Sequence, residues 1–237
     1  MPPSATEHIV TRSERKGFTC PWWVIGLLLI GFIAIAIPTA GSNTLTLDLT
    51  VSERIQTLDS AFARFLGWLG DHLGSTIAGL ACLTLGFVAA ALLRSARDAW
   101  FLGIAAVLRL AATFLKPVSD SPRPSADQVH QLQVFESTGF PSGHATTATL
   151  LMGTLAFMVA RRTERRAYRI ALGVIWAIGA SVTGFARIWH GAHWFTDTIG
   201  GTIVGLLIVL VAANLSATIM QARSSVRRTP RSQTQAR

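Results

Sequence analysis

Residues 170–214 read IALGVIWAIGASVTGFA (170–186), RIWHGAH (187–193) and WFTDTIGGTIVGLLIVLVAAN (194–214). Two apolar runs, each near the roughly 20 residues that cross a bilayer, flank a short link holding one arginine and two histidines. Such a link makes the two runs antiparallel neighbours and leaves its polar side chains at one end of the pair. The expected fold class is therefore an all-α integral membrane bundle.

The same pattern extends towards the N-terminus. Further spans are expected at Trp22 to Ala40, Gly74 to Leu93, Trp100 to Leu115 and Ser142 to Ala160, giving six in all. Half of the 237 residues are hydrophobic and only 14% are charged, against about a quarter in a soluble domain. Basic residues precede the first run as in a signal peptide, but no small-x-small cleavage site follows, so it is read as a retained helix. The domain division is an N-terminal segment (1–21), a six-helix domain (22–214) and a basic tail (215–237) expected to be disordered.

The net charge of +9 does not imply a nucleic-acid partner, because the arginines sit between the spans and at the termini. Arg12, Arg15 and Lys16, then Arg94 and Arg97, then Arg161, Arg162, Arg165, Arg166 and Arg169, then Arg223, Arg227, Arg228, Arg231 and Arg237 all fall on one side of a six-span chain. The positive-inside rule makes that side cytoplasmic, with both termini inside and the protein multi-pass in the plasma membrane. Of the outer connections, Ser52 to Leu69 carries Ile55, Leu58, Phe62, Phe65, Leu66 and Leu69 at helical spacing. It reads either as an amphipathic helix on the outer membrane surface or as an ordinary packed helix. Cys20 and Cys82 form no metal or redox motif.

Three polar clusters share the opposite, outer side: KPVSDSPRP (116–124), PSGH (141–144) and ARIWHGAHWFTD (186–197). Lys116, Arg123 and Arg187 offer three positive charges, and arginine grips a phosphate through paired hydrogen bonds. Pro117, Pro122 and Pro124 are expected to keep the first cluster out of helix. Ser142 and Gly143 open a helix whose free amides attract anions. His193 and Asp197, four apart, share a helix face, so the carboxylate can fix one ring nitrogen and leave the other as a nucleophile or base. His144, from another helix, suits a proton donor.

Lys116 to Pro124 fits K-x6-R-P, residues 141–144 read P-S-G-H, and Arg187, His193 and Asp197 fit R-x5-H-x3-D. Together they resemble the three signature motifs of the type 2 phosphatidic acid phosphatase (PAP2) superfamily, over roughly Ala99 to Asn214. Ala186 stands where the third motif usually has serine. The resemblance implies a bacterial membrane lipid phosphatase that needs no metal or other cofactor. His193 would attack phosphorus to form a phosphohistidine, Asp197 would orient the ring, and His144 would protonate the leaving oxygen and later activate water. Lys116, Arg123, Arg187 and the amides near Ser142 and Gly143 would hold the phosphoryl group.

Expected substrates are a polyprenyl diphosphate, phosphatidylglycerol phosphate or phosphatidic acid, with the bilayer as the only other partner. The sequence gives no oligomeric state. Competing readings are a lipid phosphotransferase with the same site and a non-catalytic lipid-phosphate transporter or binding protein. His190, His193 and Asp197 also offer H-x2-H-x3-D, a possible metal set that the neighbouring arginines disfavour. Asp120 is read as an ion-pair partner within the first motif or a solvated residue. Arg109, mid-span, is expected to face the bundle interior, with Asp197 a possible partner. Gly201 and Gly205 give a G-x3-G spacing suited to close helix packing.

Overall fold

The computed structural model describes residues 19–41 and 44–228. Among them every regular element is helical: α1 (Trp22–Thr39), α2 (Thr46–Gln56), α3 (Ala61–Gly74), α4 (Thr76–Leu92), α5 (Ala96–Ala111), a 3-10 turn, α6 (Leu115–Ser119), α7 (Gly143–Ala160), α8 (Arg166–Trp189) and α9 (Phe195–Arg228). Serines start three of them. The Oγ atoms of Ser60, Ser75 and Ser142 accept from the amides of Ala63, Ala78 and Ala145 at 3.0, 3.4 and 3.4 Å, meeting donors that a helix start leaves open.

The chain is a multi-pass membrane protein. Five helices are long and apolar enough to cross a bilayer, and α3 with α4, bent by 48°, makes a sixth. Helix α7 lies against α3, α4, α5, α8 and α9, and α9 also against α1 and α5. The core at that junction includes Leu83, Phe101, Leu102, Leu150, Val204, Ile208 and Val209. Gly201 and Gly205 bring α9 onto α7 so closely that a Cβ at either would collide with the carbonyls of Ser142 and Thr146. The N-terminal ends of α7 and α9 are thereby locked together, and both carry site residues. At the other end of the bundle Asp98, from the start of α5, pairs with Arg161 and with Arg162 (2.6 Å), so the second and third basic segments meet as alternating spans require.

Three expectations change. The tail does not become irregular at residue 215: α9 continues to Arg228, with Ser216 and Ala217 buried. No Gly or Pro occurs between Gly205 and Pro230, so nothing in that stretch stops the helix. Residues 229–237, like the N-terminal basic residues up to Lys16, lie outside the described residues. Pro117 does not keep its segment out of helix but sits in the first turn of α6, where a missing amide hydrogen costs nothing. Finally, the amphipathic stretch is two helices, broken at Ser60, and the face of α3 that packs is the small one. Ala63, Gly67, Gly70 and Gly74 are buried, while Phe62, Phe65 and Trp68 are more than half exposed. In a membrane protein that outward aromatic face is a lipid face, and the glycine stripe lets α3 close on α8.

Candidate active site

His193 lies in the short α8–α9 link and Asp197 in the first turn of α9. The Nδ1 atom of His193 is 3.1 Å from Asp197 Oδ2, which also accepts the Trp194 amide at 3.0 Å. Both side chains are buried, and Asp48 of α2 braces the same helix start by accepting from the amide and hydroxyl of Thr196. Because the carboxylate accepts at Nδ1, the lone pair of the neutral ring is on Nε2. Burial, then the charges of Arg123, Arg187 and Lys116, hold the His193 pKa well below 6.5, so the ring is a free base at neutral pH.

Nε2 faces cations. Arg123 Nη1 stands 3.1 Å from it and donates to the Ala192 carbonyl at 2.5 Å, while Nε donates to the Ser137 carbonyl at 2.6 Å. Burial lowers the Arg123 pKa to about 10, which leaves it charged. Lys116 Nζ donates to the Thr138 carbonyl at 2.9 Å and reaches to the neighbourhood of Gly143. Arg187 is fully buried; its Nη1 donates to Asp71 and to Gln133 Oε1 (2.8 Å), and its Nε and Nη2 have no protein partner. The Phe135 ring packs under both guanidiniums, 4.6 Å from Arg123 and 5.3 Å from Arg187. His144 Nε2 lies 3.5 Å from Asp71 Oδ1, so Asp71 touches both His144 and Arg187.

The predicted site residues thus converge from four helix ends and one loop. The Ser142 amide, however, is not free for a ligand. It donates to the Asp197 carbonyl at 2.9 Å and ties α7 to α9. His190 is stacked edge-on against Trp189, and among the described residues no group of three His, Cys, Asp or Glu side chains is placed to hold a metal ion. Asp120 is exposed and in left-handed backbone conformation, without an ion pair to Lys116 or Arg123 among the described contacts. The sequence reading missed Asp71, Gln133 and Phe135. Only Asp71 left a signal: it is the lone acidic residue on the glycine-rich α3.

Arg109 does face the interior, but its partners are not Asp197. Its Nε donates to Thr147 Oγ1 (3.0 Å), and its Nη2 to Thr76 Oγ1 (2.9 Å) and the Gly143 carbonyl (3.4 Å). It secures the start of α7, which carries Ser142 to His144. Arg109→Leu is expected to lower turnover roughly tenfold, the worth of one hydrogen bond to a charged group. Unchanged turnover by the purified variant would reduce Arg109 to a passive filler.

Fold and site define a class: a helical membrane bundle with a histidine–carboxylate pair opposite a cluster of buried and half-buried cations at one end. The chain belongs to the PAP2 superfamily, whose family model matches residues 98–221, just over half of it. It is similar to phosphatidylglycerophosphatase B of Bacillus subtilis (strain 168), 30% identical over 122 residues, covering 48% of this chain and 56% of the relative. It is also similar to undecaprenyl-diphosphatase BcrC of the same organism, 31% identical over 118 residues, with the same coverage of 48% and 56%. The chain therefore spans about half the length of these curated relatives. A crystal structure of a transmembrane PAP2 type phosphatidylglycerolphosphate phosphatase from Bacillus subtilis shares the fold, with a TM-score of 0.68 at 19% identity over 87% of this chain and 98% of that one.

Proposed function

We propose that this protein is a membrane lipid phosphatase acting through a phosphohistidine on the outer face. The observation that carries the reading is the His193 ring, fixed by Asp197 on one nitrogen and presenting the other to the Arg123 guanidinium. His193 Nε2 attacks phosphorus while the bond to the leaving oxygen breaks, and His144 gives that oxygen its proton. Water then attacks the phosphohistidine, His144 takes the water's proton, and the P–N bond breaks to release phosphate. Asp197 stabilises the charge on the ring. Lys116, Arg123 and Arg187 hold the phosphoryl oxygens, as does the backbone start of α7 around Gly143, next to the Ser142 cap.

Three things support a lipid substrate. The site lies at the ends of helices long and apolar enough to cross a bilayer. Relatives are named for phosphatidylglycerol phosphate and undecaprenyl diphosphate. An apolar groove of about 370 Å³, lined by Val51, Ile55, Phe185, Ile188 and Phe195, flanks the helix ends that hold Arg187 and Asp197. The positive-inside pattern supports a site on the outer face with both termini in the cytoplasm, and such a site favours a polyprenyl diphosphate released there.

The test is phosphate release by the purified protein in detergent with excess chelator, offering polyprenyl diphosphate, phosphatidylglycerol phosphate and phosphatidic acid in parallel. Release that survives chelator is expected. Loss to chelator would overturn the metal-free reading, and release only in the presence of an acceptor lipid would replace hydrolase by transferase. Arg123→Ala is expected to lower kcat/KM by about a hundredfold or more, as loss of one preorganised charge donor does. Near-normal turnover by this variant would remove Arg123 from the phosphate site.

A further inference from the structure

Asp71 lies on α3, outside the three sequence motifs and outside the stretch that the family model matches. Three glycines allow it to reach the site. A Cβ on Gly70 would collide with the Val182 carbonyl and the Ala186 side chain, one on Gly67 would crowd the Trp189 ring, and one on Gly74 would crowd His144 and Thr183. Helix α3 therefore lies directly on the last turns of α8, and Asp71 follows the residue that touches Ala186.

The carboxylate then does two things. It takes Nη1 of Arg187, whose guanidinium is wholly buried, and it stands 3.5 Å from His144 Nε2. A guanidinium is planar, so fixing Nη1 between Asp71 and Gln133 fixes where the remaining edge points. That edge, Nε and Nη2, is the part with no protein partner. Two buried donors left open on a rigid plane are a paired site for two oxygens of one tetrahedral or trigonal-bipyramidal anion.

We propose that Asp71 is a positioning residue of the phosphate site, holding Arg187 so that its Nε–Nη2 edge meets the phosphoryl oxygens and steadying His144 beside it. The inference rests on the phosphate-site reading above but is tested by binding rather than turnover. Asp71 does not touch the phosphoryl group; it acts through Arg187. Gln133 Oε1 already accepts from the same nitrogen, so a carboxylate can be supplied from either side of Nη1.

The experiment measures orthovanadate binding to detergent-purified protein by 51V NMR, with thermal melting as the control for folding. Asp71→Asn keeps the size of the side chain and loses its charge. It is expected to weaken vanadate binding by about tenfold or more, the worth of a hydrogen bond between charged partners. Asp71→Asn/Gln133→Glu returns a carboxylate to Nη1 and is expected to recover most of that loss. A merely structural aspartate would lower the melting midpoint of both variants and leave binding by the folded fraction unchanged. Vanadate binding by Asp71→Asn equal to or tighter than wild type would overturn the proposal, as would a loss that the double variant does not recover. If Asp71→Asn alone does not fold, the double variant decides: binding within about threefold of wild type supports the proposal, and a loss beyond about tenfold overturns it. Binding that follows the expected order in a protein that releases no phosphate from any lipid would support the role of Asp71 while overturning the phosphatase reading.

Discussion

His193→Gln is expected to lower turnover by at least about 10⁴-fold, with no phosphorylated enzyme formed, as removal of a nucleophile from a concerted site does elsewhere. The argument is geometric. The only ring nitrogen not held by Asp197 is the one 3.1 Å from Arg123. No other nucleophilic side chain described at the site is both oriented by a carboxylate and faced by cations. Wild-type protein quenched in alkali during turnover of radiolabelled substrate should carry an acid-labile, alkali-stable phosphoryl group, and His193→Gln should carry none. His144→Gln should behave differently with an activated substrate such as a nitrophenyl phosphate. Its leaving group needs no proton, so the phosphohistidine forms, but water is not activated and the intermediate accumulates. Turnover of His193→Gln above about one per cent of wild type would place the nucleophile elsewhere.

The histidine–carboxylate pair at the centre of that prediction was accessible from the sequence because it is local. His193 and Asp197 are four residues apart, and the link between α8 and α9 is too short to place them anywhere but at a helix end. Apolar run length set four of the six spans to within a few residues for the same reason: bilayer thickness is a ruler. What the sequence did not show are contacts between segments far apart in the chain. Asp71 and Arg187 are 116 residues apart, Arg187 and Gln133 are 54 apart, and nothing in either neighbourhood announces the partner. The α3 face was left open between lipid and protein because hydrophobic periodicity says where apolar residues gather but not which of the two meets them. In water Phe62, Phe65 and Trp68 would turn inward; in a bilayer the glycines turn inward, since small residues allow the closer packing. The tail was misread because its polar and basic composition resembles that of a disordered segment, while the absence of any helix breaker before Pro230 carried the stronger information.

Arg187 is where the second large effect is expected, and charge alone will not explain it. Its side chain is fully buried, with Nη1 spent on Asp71 and Gln133 and the Nε–Nη2 edge open. Lysine in its place keeps a positive charge and, with it, a partner for Asp71, so Arg187→Lys is expected to fold and melt close to wild type. It cannot present two parallel donors, because an ammonium has no plane. Turnover should therefore fall by about a hundredfold or more, the cost of losing a preorganised donor pair aimed at developing charge. Arg187→Met loses the charge as well, and its turnover should fall by about a thousandfold or more, at the upper end of what a charge-stabilising arginine supplies in phosphoryl transfer. The Met variant should also melt lower, because Asp71 is then left without its cation beside His144. The two variants thus separate plane from charge. Rates are to be measured on the same lipid in the same detergent, at substrate concentrations high enough to split kcat from KM. If lysine restored wild-type kcat, the bidentate edge would have no part in the reaction and Arg187 would serve as a counter-ion to Asp71. If lysine and methionine fell equally, the plane would carry the whole effect. An intermediate value for lysine, low in kcat and near wild type in melting temperature, is the outcome that a rigid edge facing a phosphoryl group requires.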